Sequence, residues 1–415
     1  MAALLGIIRQ RTLGVLLVLA LGGCTTVDLS PREPGGTIEQ ASTAPPAPAP
    51  APAPPPAEEP APAPPPPPPP PPNGGTPSEA TIVQKDGAML VRVYFATDRQ
   101  WSSQRQTYTG EPNEVAPYLT YGSILVSIPE DRKVGEIPVP AWYNLLARDN
   151  EKKYVLLKGL RRLPADTFFA RLRQAVAGNP GRRVAFIYIH GYNNSFDDAA
   201  RRAGQMAVDL NLPIVPVAYS WPSRAEAEDY PTDEDSAMWT QSHLKTFLAN
   251  FADRTNATDI YVIAHSMGNR PTTLALAALL EERPQLRSRF KDIILAAPDI
   301  NAAVFRADIA PRFAKIGVPL TVYASTRDRA LQISYKFHKW RRLGDAAHPA
   351  PDLAGIDFID ASSVTTNFMG HDYFASNRAL LTDVATLFLT GARAGKRGGL
   401  KPMPTASRPA YYAFP

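Results

Sequence analysis

Tyr261-Val262-Ile263-Ala264-His265-Ser266-Met267-Gly268-Asn269 is an apolar, strand-like run that ends in a small-x-Ser-x-Gly turn and passes into the helix-like stretch Thr272 to Leu280. A strand that turns this tightly into a helix forces the residue at the corner into a strained backbone conformation and lifts its side chain clear of both elements. Ala264 and Gly268, two before and two after Ser266, are small enough to let strand and helix approach. The backbone N–H of Met267 then sits at the helix N-terminus, where it can point at a developing oxyanion. Ala264 stands where the stricter pattern has glycine. The strand and helix on either side supply the context that a bare motif lacks, and together they mark Ser266 as a nucleophile rather than a capping serine.

Working outward, the segment between Met89 and Leu389 alternates apolar runs with helical patterns. Strands are expected at Val91–Ala96, Gly122–Ile128, Val184–Ile189, Ile214–Tyr219, Asp259–Ala264, Ile293–Ala297, Leu320–Ala324 and Ile356–Ile359. Helices are expected at Asp197–Leu210, Ser236–Phe251, Pro271–Glu282, around Val304–Ala314 and at Ala379–Phe388. The first helix places Ala199, Ala203, Met206, Ala207 and Leu210 on one stripe. Near-continuously apolar strands separated by helices imply an α/β fold with a mostly parallel central sheet and helices on both faces. The first strands lack helices between them and are expected to be antiparallel at one edge.

The ends of the chain read differently. Arg9 and Arg11 precede the short apolar run Leu13–Ala20, an export signal over residues 1–23. It closes on Leu21-Gly22-Gly23-Cys24, which resembles a bacterial lipobox and makes Cys24, the only cysteine, the expected lipidation site. Residues 24–80 are expected to be a disordered tether. From Ala44 to Pro72 they are almost wholly Pro and Ala, a composition that favours polyproline II, spanning roughly 90 Å at about 3.1 Å per residue. The catalytic domain is expected at 81–390 and a disordered basic tail at 391–415. The net charge of +5 is carried by the leader and tail; what lies between is net negative and shows no nucleic-acid-binding stripe. The expected location is the bacterial cell envelope, lipid-anchored at the outer membrane and facing the periplasm or the surface.

Five segments occur in order: Val93-Tyr94-Phe95-Ala96-Thr97-Asp98-Arg99, Ile189-His190-Gly191-Tyr192-Asn193, Tyr219-Ser220-Trp221-Pro222-Ser223, Ala264-His265-Ser266-Met267-Gly268-Asn269 and Ala297-Pro298-Asp299-Ile300. Together they resemble a bacterial family of alpha/beta hydrolases known as domain of unknown function 900 and described as esterase/lipase-like. The resemblance runs from about Val91 to Leu389 and implies an alpha/beta-hydrolase fold and ester hydrolysis.

A serine nucleophile needs a histidine base oriented by a carboxylate, in the chain order Ser, acid, His. Of six histidines, His265 adjoins the serine and cannot swing round to it, His190 suits the oxyanion loop, and His243 lies in a helical pattern. His371, in Asn367–Tyr373 after the last strand, is the preferred base; His338 is its rival and His348 lies in a Pro- and Ala-rich loop. Asp328, after the strand Leu320–Ala324, is the preferred acid, with Asp299 as rival or as a helix cap. The second oxyanion donor is expected from the Tyr192 backbone N–H. No metal constellation or nucleotide loop is present, so no cofactor is implied. The polar stretch Trp221 to Trp239 lacks the apolar face of a mobile lid, and an open site for short or medium acyl esters is expected. The favoured reading is a serine hydrolase of small-molecule or lipid carboxylic esters acting through an acyl-enzyme and tethered to the membrane by its N-terminal lipid. A non-catalytic envelope lipoprotein using the fold as a binding module, or an acyltransferase or thioesterase with the same triad, is the alternative. Nothing in the sequence bears on oligomeric state.

Overall fold

A computed structural model describes residues 82–140, 150–178, 182–347, 355–364, 373–405 and 408–415. The expected export signal, Cys24 and the Pro/Ala tether lie outside these residues, as do His348 and His371. The chain opens with β1 (Ile82–Lys85), β2 (Ala88–Thr97), a small hairpin of β3 (Arg99–Ser102) and β4 (Thr107–Pro112), β5 (Thr120–Pro129) and β6 (Leu156–Leu163). There follow α1 (Ala165–Ala177), β7 (Val184–Ile189), α2 (Phe196–Leu210), β8 (Val215–Ser220), α3 (Tyr230–Trp239), α4 (Gln241–Arg254), β9 (Asp259–His265) and α5 (Asn269–Glu282). After β10 (Phe290–Ala296), α6 (Ala302–Val304) runs through a π turn into α7 (Ala310–Ile316). The chain ends with β11 (Leu320–Ala324), α8 (Arg329–His338), β12 (Ile356–Asp360), α9 (Tyr373–Ser376), α10 (Arg378–Thr390), β13 (Lys401–Thr405) and β14 (Arg408–Ala413).

The main sheet runs β13-β14-β12-β11-β10-β9-β7-β8-β2-β5-β6, with β1 beside β2. Its centre, from β14 to β2, is parallel, and the antiparallel pairs lie toward the two edges. Strand periodicity explains why β7 is apolar throughout. Ala185, Ile187 and Ile189 point into the core beneath α1, α4, α5 and α7, whereas Val184, Phe186 and Tyr188 point into the core beneath α2 and α10. The stripe expected on α2 is buried in full. Ser195 starts that helix with a reciprocal capping box to Asp198, which satisfies donors that the first turn leaves open.

Two expectations are corrected. The helix expected over Ser236–Phe251 is two, α3 and α4. Thr240 stands between them, and its hydroxyl is held by buried Asp98 and by Tyr219. The segment expected as a disordered basic tail packs on the sheet edge: β14 pairs in parallel with β12, and Leu400 and Phe414 enter the core. Two of its cations are counter-ions. Arg393 pairs with Asp292 and Asp357, and Arg397 is fully buried 3.0 Å from Asp383. A charge count along the chain cannot see carboxylates buried on other elements, so these arginines read as solvated. Among the described residues no helix is long and apolar enough to cross a membrane.

Candidate active site

Register places the site. Ile189 of β7 pairs with Ala264 of β9, and His265 pairs with Ala296 of β10, so the residues following β7, β9 and β10 emerge side by side at one end of the sheet. There Ser266 adopts a left-handed conformation, φ 52°, between β9 and the 3₁₀ turn Ser266–Gly268 that leads into α5. A non-glycine residue held there stores strain of order 1–3 kcal/mol, which its surroundings must enforce. Asn269 Nδ2 and the Asp299 backbone N–H donate to the Ser266 carbonyl at 2.8 and 3.2 Å, locking the turn.

The loop after β7 crosses the turn at close range. A Cβ on Gly268 would meet the His190 carbonyl oxygen at 2.1 Å, and one on Gly191 would meet Ser266 Cβ at 2.7 Å. Both glycines are therefore required by the approach itself. This brings the Gly191–Tyr192 backbone next to the serine, and Met267 follows it inside the core.

That loop is fastened from below by Arg99, which lies just past β2 and is almost wholly buried. Its guanidinium donates to Ser220 Oγ (2.8 Å), the Thr109 carbonyl (3.0 Å), the Ser223 carbonyl (2.8 Å) and the Asn194 carbonyl (2.7 Å), and lies 3.2 Å from His190 Nε2. Burial pushes its pKa down to about 10, with Asp98 and Asp233 opposing, so it remains charged at neutral pH. The His190 ring stacks on Trp221 (centroids 4.9 Å apart, 12° between planes), and its Nδ1 is 2.8 Å from the Gly191 carbonyl. Burial and then the Arg99 charge hold its pKa well below the ordinary value. Nε2 also faces Ser220 Oγ at 3.2 Å and the Trp221 carbonyl at 3.1 Å, so polar groups hold the ring at both nitrogens. From above, Asp233 of α3 accepts from the Asn193 N–H (3.2 Å), the Arg224 N–H (2.8 Å) and the Ser223 hydroxyl.

The acid candidates differ sharply. Asp299 is buried and saturated. It accepts from the Tyr230 hydroxyl, from Ser334 Oγ (2.8 Å) and from Arg270 Nη2 (3.1 Å), and it pairs with Arg342 Nε at 3.1 Å. Burial alone would raise its pKa, but Arg270 and Arg342 outweigh burial and lower it. Asp328, in the loop after β11, is equally buried and accepts from the Leu331 N–H at 3.0 Å, capping α8. His338, the rival base, has Nε2 2.8 Å from Glu234 and Nδ1 2.9 Å from the Ser334 carbonyl. His243 is held by Asp98 at 3.1 Å and stacks on Tyr118. His371 lies outside the described residues.

The stretch 221–239 forms a loop and α3 beside the serine. Tyr230 receives a hydrogen bond from Arg270 Nη2 at 3.0 Å and packs edge-on against Tyr192 at 5.0 Å, while Glu234 pairs with both Arg270 and His338. Between α3, α5, the α6–α7 stretch and α8 lies a cavity of about 450 Å³, lined by Met238, Leu274, Ile300, Val304 and Ile309 with Arg270 and His338 at its wall. Residue-by-residue reading of the sequence missed Asp233, Glu234 and Arg270. Their positions depend on α3 folding back over α5, and no spacing along the chain announces that. Arg99 stood inside a quoted motif, yet nothing local assigned it a partner.

No curated protein sequence matches the chain. Among solved structures, Aspergillus fumigatus lipase B aligns at 12% identity over 54% of this chain and 58% of its own length, with a TM-score of 0.32; this chain thus spans less than two thirds of that lipase. Est1E from Butyrivibrio proteoclasticus aligns at 14% identity over 52% of this chain and 90% of its own, with a TM-score of 0.32. A predicted CIB-like hydrolase from Thermoplasma acidophilum aligns at 13% over 51% and 89%, with a TM-score of 0.30. The sequence model of a family described as alpha/beta hydrolase of unknown function, domain of unknown function 900, matches residues 165–392. That match covers more than half of the chain and includes β7, the Ser266 turn and β11, so the protein belongs to this alpha/beta-hydrolase family.

Proposed function

We propose that the protein is a serine hydrolase of carboxylic esters that works through an acyl-enzyme. Ser266 Oγ attacks the ester carbonyl while His371 takes its proton, and Asp328 holds the imidazole and stabilises its charged form. The negative charge that develops on the carbonyl oxygen is met by the backbone N–H groups of Tyr192 and Met267. Collapse of the tetrahedral species expels the alcohol, which leaves with the proton from His371. Water, activated by the same histidine, then releases the acid. The observation that carries this reading is the left-handed Ser266 at a strand-to-helix turn, with the Gly191 loop packed on its Cβ. Saturation of Asp299 by two guanidiniums, a tyrosine and a serine supports Asp328 as the acid. In this reading Cys24 is acylated and holds the domain to a membrane of the bacterial envelope through the Pro/Ala tether.

The test is covalent labelling of the full-length protein with a fluorophosphonate, followed by turnover on esters of increasing acyl length. Labelling at Ser266, lost in Ser266→Ala together with ester turnover, is the expected result. Unchanged turnover in Ser266→Ala overturns the mechanism. Absence of both labelling and turnover in the intact protein points instead to a binding module. For the tether, Cys24→Ala should abolish detergent partitioning; an unchanged partition with no acyl mass on the mature N-terminus refutes it.

A further inference from the structure

Among the described residues, the outer face of α8 and the turn after it expose a cluster of large apolar side chains. Its inner face buries Leu331 and Ser334 and turns His338 toward Glu234. An ordinary surface helix would set polar residues of both signs on the opposite face. Here Ile333 and Phe337, one turn apart on that face, are exposed, as are Tyr335 at the flank of the helix and Trp340 just past it, with Phe337 at 76% and Trp340 at 58%. They alternate with exposed Lys336, Lys339 and Arg341, and the stretch Arg329 to Arg341 contains no Asp or Glu at all.

We infer that this face docks on an anionic lipid bilayer. Clustered exposed aromatic and aliphatic side chains of this size are seldom left open to water without a partner. Tryptophan, tyrosine and phenylalanine interleaved with lysine and arginine have the composition of a surface seated at the boundary between headgroups and acyl chains. The rings enter the boundary and the long cationic side chains reach the headgroup charge. The absence of acidic residues across thirteen positions is what complementarity to a negative membrane requires. A protein partner or a second copy would not by itself call for this one-signed charge.

The placement relative to the site adds to the case. α8 is capped by Asp328 and carries Ser334 and His338 into the network around Asp299, whose N–H bonds the Ser266 carbonyl. The cavity lined by Met238, Val304 and His338 lies alongside, and both Met238 and Val304 are exposed. Docking through α8 therefore sets the cavity at the membrane surface, within reach of an acyl chain of a lipid ester. This last step rests on the proposed hydrolase activity; the docking surface does not.

The experiment uses the full-length chain with Cys24→Ser, which leaves no thiol, and introduces Ile333→Cys to carry a polarity-sensitive fluorophore. A second protein carries the fluorophore at exposed Ser103 (Ser103→Cys) as a control for contact made by the N-terminal segment alone. Vesicles of phosphatidylcholine are compared with vesicles containing phosphatidylglycerol. A blue shift at position 333 but not at 103, restricted to anionic vesicles, is expected. Changing Lys336, Lys339 and Arg341 to glutamine should weaken it on the order of a hundredfold, with circular dichroism unchanged. No shift at 333, or a shift of equal size on zwitterionic vesicles, overturns the inference. A shift that grows with protein concentration in the absence of lipid overturns it in favour of self-association. Ester turnover in solution, measured on the same glutamine variant, should be unaltered; its loss would mean that α8 supports the site rather than the docking.

Discussion

Gly191 packs directly against Ser266: a single methyl group on Gly191 would stand 2.7 Å from the Ser266 Cβ. The loop after β7 and the turn after β9 thus define each other's position, and the atoms that would polarise a carbonyl are set by that contact. Gly191→Ala must push the loop away from the serine. Loss of one oxyanion donor typically costs 10²–10³-fold in kcat, so a fall of about a hundredfold in ester turnover is expected, alongside the loss of about 1–3 kcal/mol of stability that overpacking brings. Near-normal kcat would remove this loop from the mechanism.

The two aspartates are separable by what each loses. Asp299→Asn leaves Arg270 and Arg342 facing a neutral amide in a buried setting, and breaking such pairs costs roughly 3–5 kcal/mol. A large drop in unfolding free energy, measured by denaturant titration, is expected. Asp328→Asn, which keeps a side chain able to cap α8, should instead lower kcat by orders of magnitude and cost less stability than Asp299→Asn. Removing His371 in addition to Ser266 should cost little beyond removing Ser266 alone. Crippled turnover with intact folding in Asp299→Asn, and a harmless Asp328→Asn, would exchange their roles.

Arg99 contacts the loop rather than any reacting atom, and acts as a positioning residue. A lysine at this position cannot reproduce a planar fork that reaches Ser220, Thr109, Ser223, Asn194 and His190 at once. Arg99→Lys should lower kcat at least tenfold with KM within about twofold, since the donors move but the substrate cavity does not. A rise in KM alone, with kcat retained, would contradict this.

The edge of the sheet carries a pH signature. Burial raises the pKa of Asp292 to about 7, with Arg393 opposing. The folded protein therefore binds a proton there that the unfolded chain, near 3.8, does not, and this group's contribution to stability is greatest below about pH 4 and is lost as pH rises through 7. Comparing melting temperatures of the parent and Asp292→Asn from pH 5 to 8 isolates the effect. The parent should lose stability relative to the variant over that range; parallel curves would refute it.

Much was decided along the chain. The β9–Ser266–α5 turn, the alternation of apolar strands with helices and the α2 stripe are local patterns, and each follows from periodicity or from the steric needs of a few consecutive residues. What the sequence by itself could not decide depended on partners far apart in the chain. Arg99 meets His190 and Asn194 only because β2 pairs with β8 and β8 with β7. Asp299 reads as a rival acid or a helix cap until α3, α5 and α8 converge on it. Arg393 and Arg397 read as a solvated tail until Asp292, Asp357 and Asp383 are found buried beneath them. A carboxylate or guanidinium carries the same symbol whether solvated or buried, and its role is set by dielectric and by neighbours, which only the tertiary structure brings together.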